Sequence, residues 1–189
     1  MDSYTTQNTL LMTNLLKFYE KSDNLDKMLS IINGNARISL RIIDWFATNY
    51  AKKFFTVYDI KDKDKRFKVY VDYKLKLKAY SKKRFDPFCR WDRITIPYHN
   101  DTFIQTTIGQ LNFFKWALEN EVVAYIEQHY QDIENDMNSR NSNSKNVYNN
   151  SNSNSNNCNN KTRKKREELS ISATKSIKKE KVEIVLTFN

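Results

Sequence analysis

Glycine and proline are nearly missing from this chain, with two of each in 189 residues. So few glycines leave few turns that can rest on positive φ, and they exclude a glycine-rich phosphate loop. The two cysteines, Cys89 and Cys158, have no partner at C-x-x-C spacing. Free thiols in a reducing, intracellular compartment are the simplest expectation. The two histidines, His99 and His129, lie too far apart for a metal motif. No run of about 18 apolar residues exists to cross a membrane. The opening MDSYTTQNTLLMTNLLKFYE lacks the basic start and continuous apolar run of a signal peptide. The expectation is therefore no cofactor, no metal and no membrane partner.

Aromatic residues and positive charge are what the chain does contain. It has eleven Tyr, eleven Phe and three Trp. Asn, Lys, Ile, Tyr and Phe are abundant, and an A/T-rich genome is the bland explanation of that bias. The net charge of +10 is unevenly spread: residues 1–51 are neutral, 52–93 carry +9, 94–160 carry −4, 161–181 carry +6 and 182–189 carry −1. Charge spread for solubility alone would not fall into two blocks.

The pattern predicts an α+β fold. Residues 4–19 and 24–33 read as helices, the second capped by Ser22 or Asp23 and stopped at Asn33-Gly34. From Ser39, a plausible N-cap, Leu40, Ile43, Ala47, Tyr50 and Phe54 keep one face of an amphipathic helix. FTVYDI (55–60) reads as a strand and Lys61–Arg66 as a charged turn. Beyond it Phe67, Val69, Val71, Tyr73, Leu75, Leu77 and Ala79 alternate with polar or aromatic positions, which predicts a long strand. A rival reading is open, because Tyr70, Tyr73, Leu77 and Tyr80 also fit a helix. Asp86-Pro87 marks a turn and Arg93–Tyr98 a second strand. Thr107-Ile-Gly-Gln110 has the capping-box pattern ahead of one long helix from 108 to about 136, whose apolar face carries Leu111, Phe114, Leu118, Val122, Tyr125, His129 and Ile133.

Three domains follow: a folded body over 1–137, a disordered Asn/Ser tether over 138–160, and a basic cluster with a β-hairpin over 161–189 that could dock on the body. The hairpin strands would be Glu168–Ala173 and Val182–Phe188, separated by Lys178-Lys-Glu-Lys181.

The strongest candidate site is the exposed face of 67–80. Were the odd positions buried, the other face would show Lys68, Tyr70, Asp72, Lys74, Lys76, Lys78 and Tyr80, followed by Lys82, Lys83, Arg84, Arg90 and Arg93. Evenly spaced cations suit a phosphate backbone, and the tyrosine rings could stack on bases. The plainer reading is an edge strand guarded from aggregation by lysines. The cluster Arg163, Lys164, Lys165 and Arg166 fits a second phosphate clamp, a nuclear-import signal or a solvated charge run.

Catalysis is poorly supported. Cys89 sits among aromatic and basic residues, but nothing places a histidine beside it. His129, on an apolar helix face, reads as a core histidine. Asp132, Glu134 and Asp136 read as a solvated face, and Trp45 and Trp116 as core.

Three stretches, SLRIIDWFATNYAKK (39–53), YKLKLKAYSKKRFDPFCRWDRI (73–94) and TTIGQLNFFKWALENEVVAYIEQH (106–129), together with the tail from Arg163 to Asn189, resemble a small uncharacterised protein family of the nucleocytoplasmic large DNA viruses, the mimivirus-like and algal-virus lineages. The resemblance covers most of the chain beyond about residue 37. It implies a context: a virion or a virus factory in the host cytoplasm, with a large DNA genome. Nucleic acid, DNA or RNA, bound with little sequence specificity is then the leading expectation. A structural or assembly role among viral core or transcription proteins is the alternative, and an enzyme the weakest reading.

Overall fold

The computed structural model describes residues 2–20, 23–60, 65–89, 93–98, 102–150 and 178–181. Helix α1 (Asp2–Glu20) buries Leu15 and Tyr19, and the Tyr19 hydroxyl donates to the carbonyl of Leu111 at 2.7 Å. Helix α2 (Asn24–Ile32) buries Met28, Leu29, Ile31 and Ile32. It stops where the sequence says it should. Asn35 N–H reaches back to Ser30 C=O and Gly34 N–H to Ile31 C=O, closing the helix around Gly34 at φ +77. This closure needs a left-handed residue, the position where glycine is least strained.

Ser39 caps α3 (Leu40–Trp45), its hydroxyl accepting from Ile42 N–H. A wider π turn follows over Phe46–Tyr50, then α4 (Ala51–Lys53). The extra residue in the π turn shifts the side-chain stripe. Leu40, Ile43 and Ala47 are buried as expected, whereas Phe54 ends half exposed. The chain then closes a second time with the same bond, Thr56 N–H to Ala51 C=O at 3.1 Å. Here the left-handed position, φ +48, is held by Phe55.

Strands β1 (Val57–Ile60) and β2 (Lys65–Lys68) form an antiparallel pair with Val57 opposite Lys68 and Ile60 opposite Lys65. The expected long strand over 67–80 is corrected: from Val69 to Phe85 the chain is helix α5. The rival helical pattern prevails. Val69 and Tyr73 are buried and Leu77 and Tyr80 pack partly against the core, whereas Val71 and Leu75 are 52% and 59% exposed. Alternating Leu and Lys serve a helix as well as a strand, and the aromatic stripe decides. Tyr73 meets Phe85, Phe113 and Trp116 with ring centroids 5.7–6.4 Å apart. A kink at Ser81 (φ 64, ψ 165) separates the last turn.

Strand β3 (Arg93–Pro97) pairs with β4 (Thr102–Thr107), a strand the sequence pattern did not reveal. Thr107 then caps α6 (Ile108–Glu119) by accepting from Gln110 N–H. The single long helix expected from 108 is broken twice. Glu121, at φ +54, separates α6 from α7 (Val122–Gln128), and His129 separates α7 from α8 (Tyr130–Asn150). Helix α8 runs into the Asn/Ser segment expected to be a disordered tether; residues 151–160 lie outside the described residues.

Lys178–Lys181, expected to be the turn of the C-terminal hairpin, is itself a strand, β5. It adds antiparallel to β4, giving the order β3-β4-β5 with Lys179 opposite Ile104. The hairpin arms 168–173 and 182–188, the cluster 163–166 and Cys158 lie outside the described residues. The core gathers Phe46, Phe85, Phe113 and Phe114 with Leu15, Ile43, Ile104 and Leu111, all fully buried. The fold is α+β, as read from the sequence. Among the described residues no helix is long and apolar enough to cross a membrane.

Candidate nucleic-acid interface

Helix α5 sorts the expected site residues onto two sides. Val71, Lys74, Leu75 and Lys78 stand at spacings of three and four, one stripe along the helix, and all four are exposed. With Tyr70 and Lys82 they line a broad groove of about 710 Å³. A second groove of about 280 Å³ adjoins it and shares Tyr70 and Val71. Its other walls are Ala51 and Lys52 of α4, Phe55 and Thr56 after it, Val57 of β1 and Lys68 of β2. No acidic residue lines either groove. Lys68, Lys74, Lys78 and Lys82 enter no ion pair among the described residues. Lys52 Nζ lies 5.8 Å from the centre of the Tyr70 ring.

Lys76 and Tyr80 face the other way, so the single face expected for all seven side chains of 68–80 is corrected. They enter a polar cleft of about 310 Å³ between α1, α5 and α6, beside Asn14, Asp72, Lys115 and Glu119. The Tyr80 ring stacks on Phe85 at 6.1 Å. Asp72 faces the same side, accepting from the Trp116 indole N–H at 2.7 Å. Period two put Asp72 and the lysines on one face, and period 3.6 parts them. Lys83 and Arg84 sit past the kink, Lys83 exposed and Arg84 half-buried, its carbonyl accepting from Asn112. Arg93 stands apart on β3, donating to Gln105 Oε1 at 3.1 Å. Arg90 and His99 lie outside the described residues.

The sequence reading missed Phe55, Val57, Val71 and Leu75. Among the described residues these are four of the six large hydrophobics left exposed, with Phe55 at 83%, and all four line the two grooves. A signal for Phe55 existed in its place after an amphipathic helix with no glycine to close it.

The remaining candidates are placed as follows. Cys89 is half-buried. His129 is half-buried against the Tyr125 ring at 4.3 Å. Trp116 is buried and Trp45 partly so. Asp136, expected on a solvated face, instead accepts from Trp45 Nε1 at 3.1 Å and from Lys53 Nζ, fixing α8 to α3. Burial, then the negative charge of Asp86, raises the Asp44 carboxyl to about 6. Burial likewise raises the Tyr73 hydroxyl, with further repulsion from Asp44 and Asp86. Among the described residues no group of three His, Cys, Asp or Glu is placed to hold a metal.

A family model described as "Family of unknown function (DUF7197)" matches residues 2–187. "Uncharacterized protein L507" of Acanthamoeba polyphaga mimivirus is 47% identical over 117 residues. That match takes in 58% of this chain and 45% of the relative, so the similarity spans less than half of the relative's length. No solved structure matches the chain.

Proposed function

The chain belongs to this family of unknown function and has a giant-virus relative, and on that premise we propose that it binds nucleic acid with little sequence specificity, through the outward face of α5. It is a binding protein rather than an enzyme, at work in a virion or a cytoplasmic virus factory. The observation that carries this reading is the lysine set Lys52, Lys68, Lys74, Lys78 and Lys82 around two adjoining grooves with no acid in their lining. Lysines that enter no ion pair among the described residues meet phosphates as point charges and release condensed counterions. They read no base edges, so the affinity carries little sequence preference. Lys76, Tyr80 and Arg93, turned elsewhere, are not part of this surface.

A second reading is an assembly protein that meets viral core or transcription proteins without touching nucleic acid. The exposed Val71 and Leu75 on the same stripe favour it. Salt separates the two. Anisotropy titrations of labelled DNA and RNA should show affinity falling steeply with ionic strength, whereas association through apolar side chains resists salt.

A further inference from the structure

The backbone closes twice with the same bond, once around Gly34 and once around Phe55. At Gly34 nothing lies within 4 Å of where a side chain would begin, and the residue is glycine because of its φ of +77. At Phe55 the φ is +48 and the residue is a bulky aromatic, 83% exposed. A non-glycine residue held left-handed is strained, and such strain gathers at functional positions. The ring gains little from burial, so packing does not account for a phenylalanine there.

Its surroundings suggest a use. The groove that Phe55 lines holds a second ring, Tyr70, the apolar side chains of Val57 and Val71, and Lys52 and Lys68 as its charged residues. It opens along α5 toward Lys74, Lys78 and Lys82. An apolar floor with two rings and an all-cationic rim matches a ligand that alternates flat rings with negative charges. An acidic peptide could satisfy the rim, but it would make no particular use of a ring held out into solvent. A base inside a duplex has its faces covered by its neighbours, so only an unpaired base can enter.

We propose that the groove beside Phe55 is a stacking site for an unpaired base, so that the protein prefers single-stranded nucleic acid to duplex. This rests on the reading of α5 as a phosphate-binding face. Phe55 supplies the face on which the base stacks, Tyr70 and Val71 the opposite wall, and Lys52 and Lys68 contact the flanking phosphates.

The test compares wild type, Phe55→Gly and Phe55→Leu by anisotropy with labelled oligothymidine and with a duplex, at low and moderate salt. Glycine suits the backbone at this position, so the melting temperature of Phe55→Gly should not fall, and lost binding cannot be blamed on lost folding. Leucine keeps an apolar side chain and the same backbone strain but cannot stack. Both variants should lower the ratio of single-strand to duplex affinity by about 5- to 150-fold. An unchanged ratio, with salt-dependent binding retained, would overturn the stacking site and leave the lysine face standing. A ratio that falls in Phe55→Gly but holds in Phe55→Leu would overturn stacking in favour of plain apolar contact. Failure of the wild type to bind any strand at low salt would overturn the stacking site and the lysine face together.

Discussion

The indole N–H of Trp116 on α6 donates to Asp72 on α5 at 2.7 Å, and this bond fixes which way the lysines of α5 point. With Asp72 drawn inward, Lys74 and Lys78 face solvent and Lys76 enters the cleft. Trp116 is only 3% exposed, so losing its acceptor strands a buried donor. Asp72→Ala should therefore destabilise the protein by about 1–3 kcal/mol, while Asp72→Asn, which keeps an acceptor oxygen, should cost less. Urea unfolding of the two variants checks this. Equal stability in both would mean that the bond does not hold α5 in place.

Gly109, in the first turn of α6, touches the end of α5. A Cβ added there would lie 2.7 Å from the carbonyl oxygen of Asp86 and 3.3 Å from that of Lys83. Both neighbours are backbone atoms, so the clash cannot be relieved by turning a side chain. Helix propensity favours alanine over glycine by about 1 kcal/mol, whereas overpacking costs about 1–3 kcal/mol. Gly109→Ala should thus lower the melting temperature despite the better helix former. A rise would show that α5 and α6 can move apart freely.

Asp44 predicts a pH dependence. Burial, then the charge of Asp86, raises its carboxyl from an ordinary 3.8 to about 6. Between those values the folded state keeps a proton that the unfolded state releases. Stability is therefore full below about 3.8, falls as pH rises toward 6 and is flat above. The loss amounts to about 1–3 kcal/mol, the lower end reflecting the part of Asp44 that still meets water. Asp44→Asn carries no such proton. It should be more stable than wild type at neutral pH, with the difference shrinking toward pH 4. Urea unfolding across this range measures the difference, and a gap independent of pH would contradict the assignment.

The elements legible in the sequence are those with local signals. Ser39, Thr107 and Asn33-Gly34 each mark a helix end through bonds to residues no more than five positions away, and their effect can be read without knowing the fold. Helix α5 was ambiguous because Leu-Lys alternation fits both periods, and only the packing of Tyr73 on α6 decides. Strand β5 depends on a partner distant in sequence, β4, and Lys178–Lys181 reads as a turn by composition alone; β4 itself pairs with nearby β3. The breaks at Glu121 and His129 carry no Gly or Pro to announce them. For the candidate site, the charge of 52–93 points to the stretch whose Lys68, Lys74, Lys78 and Lys82 line the two grooves. Strand geometry then grouped them with Lys76 and Tyr80, which the helix turns inward. Phe55 escaped because FTVYDI reads as a strand from its first residue, and the one hint of a left-handed closure is the lack of a glycine after the helix.

The lysine face of α5 is the central claim, and its salt dependence tests it most directly. Replacing Lys74, Lys78 and Lys82 together with Gln removes up to three phosphate contacts without adding charge of the opposite sign. At roughly 0.9 per contact for duplex DNA and 0.7 for single strands, the slope of log affinity against log salt should become shallower by up to about 2.7 and 2.1, respectively. Anisotropy titrations of wild type and the triple variant at several salt concentrations give both slopes. The account predicts steep salt dependence in the wild type and a shallower slope in the variant; a wild type that binds no nucleic acid at low salt, or a variant with an unchanged slope, would contradict it.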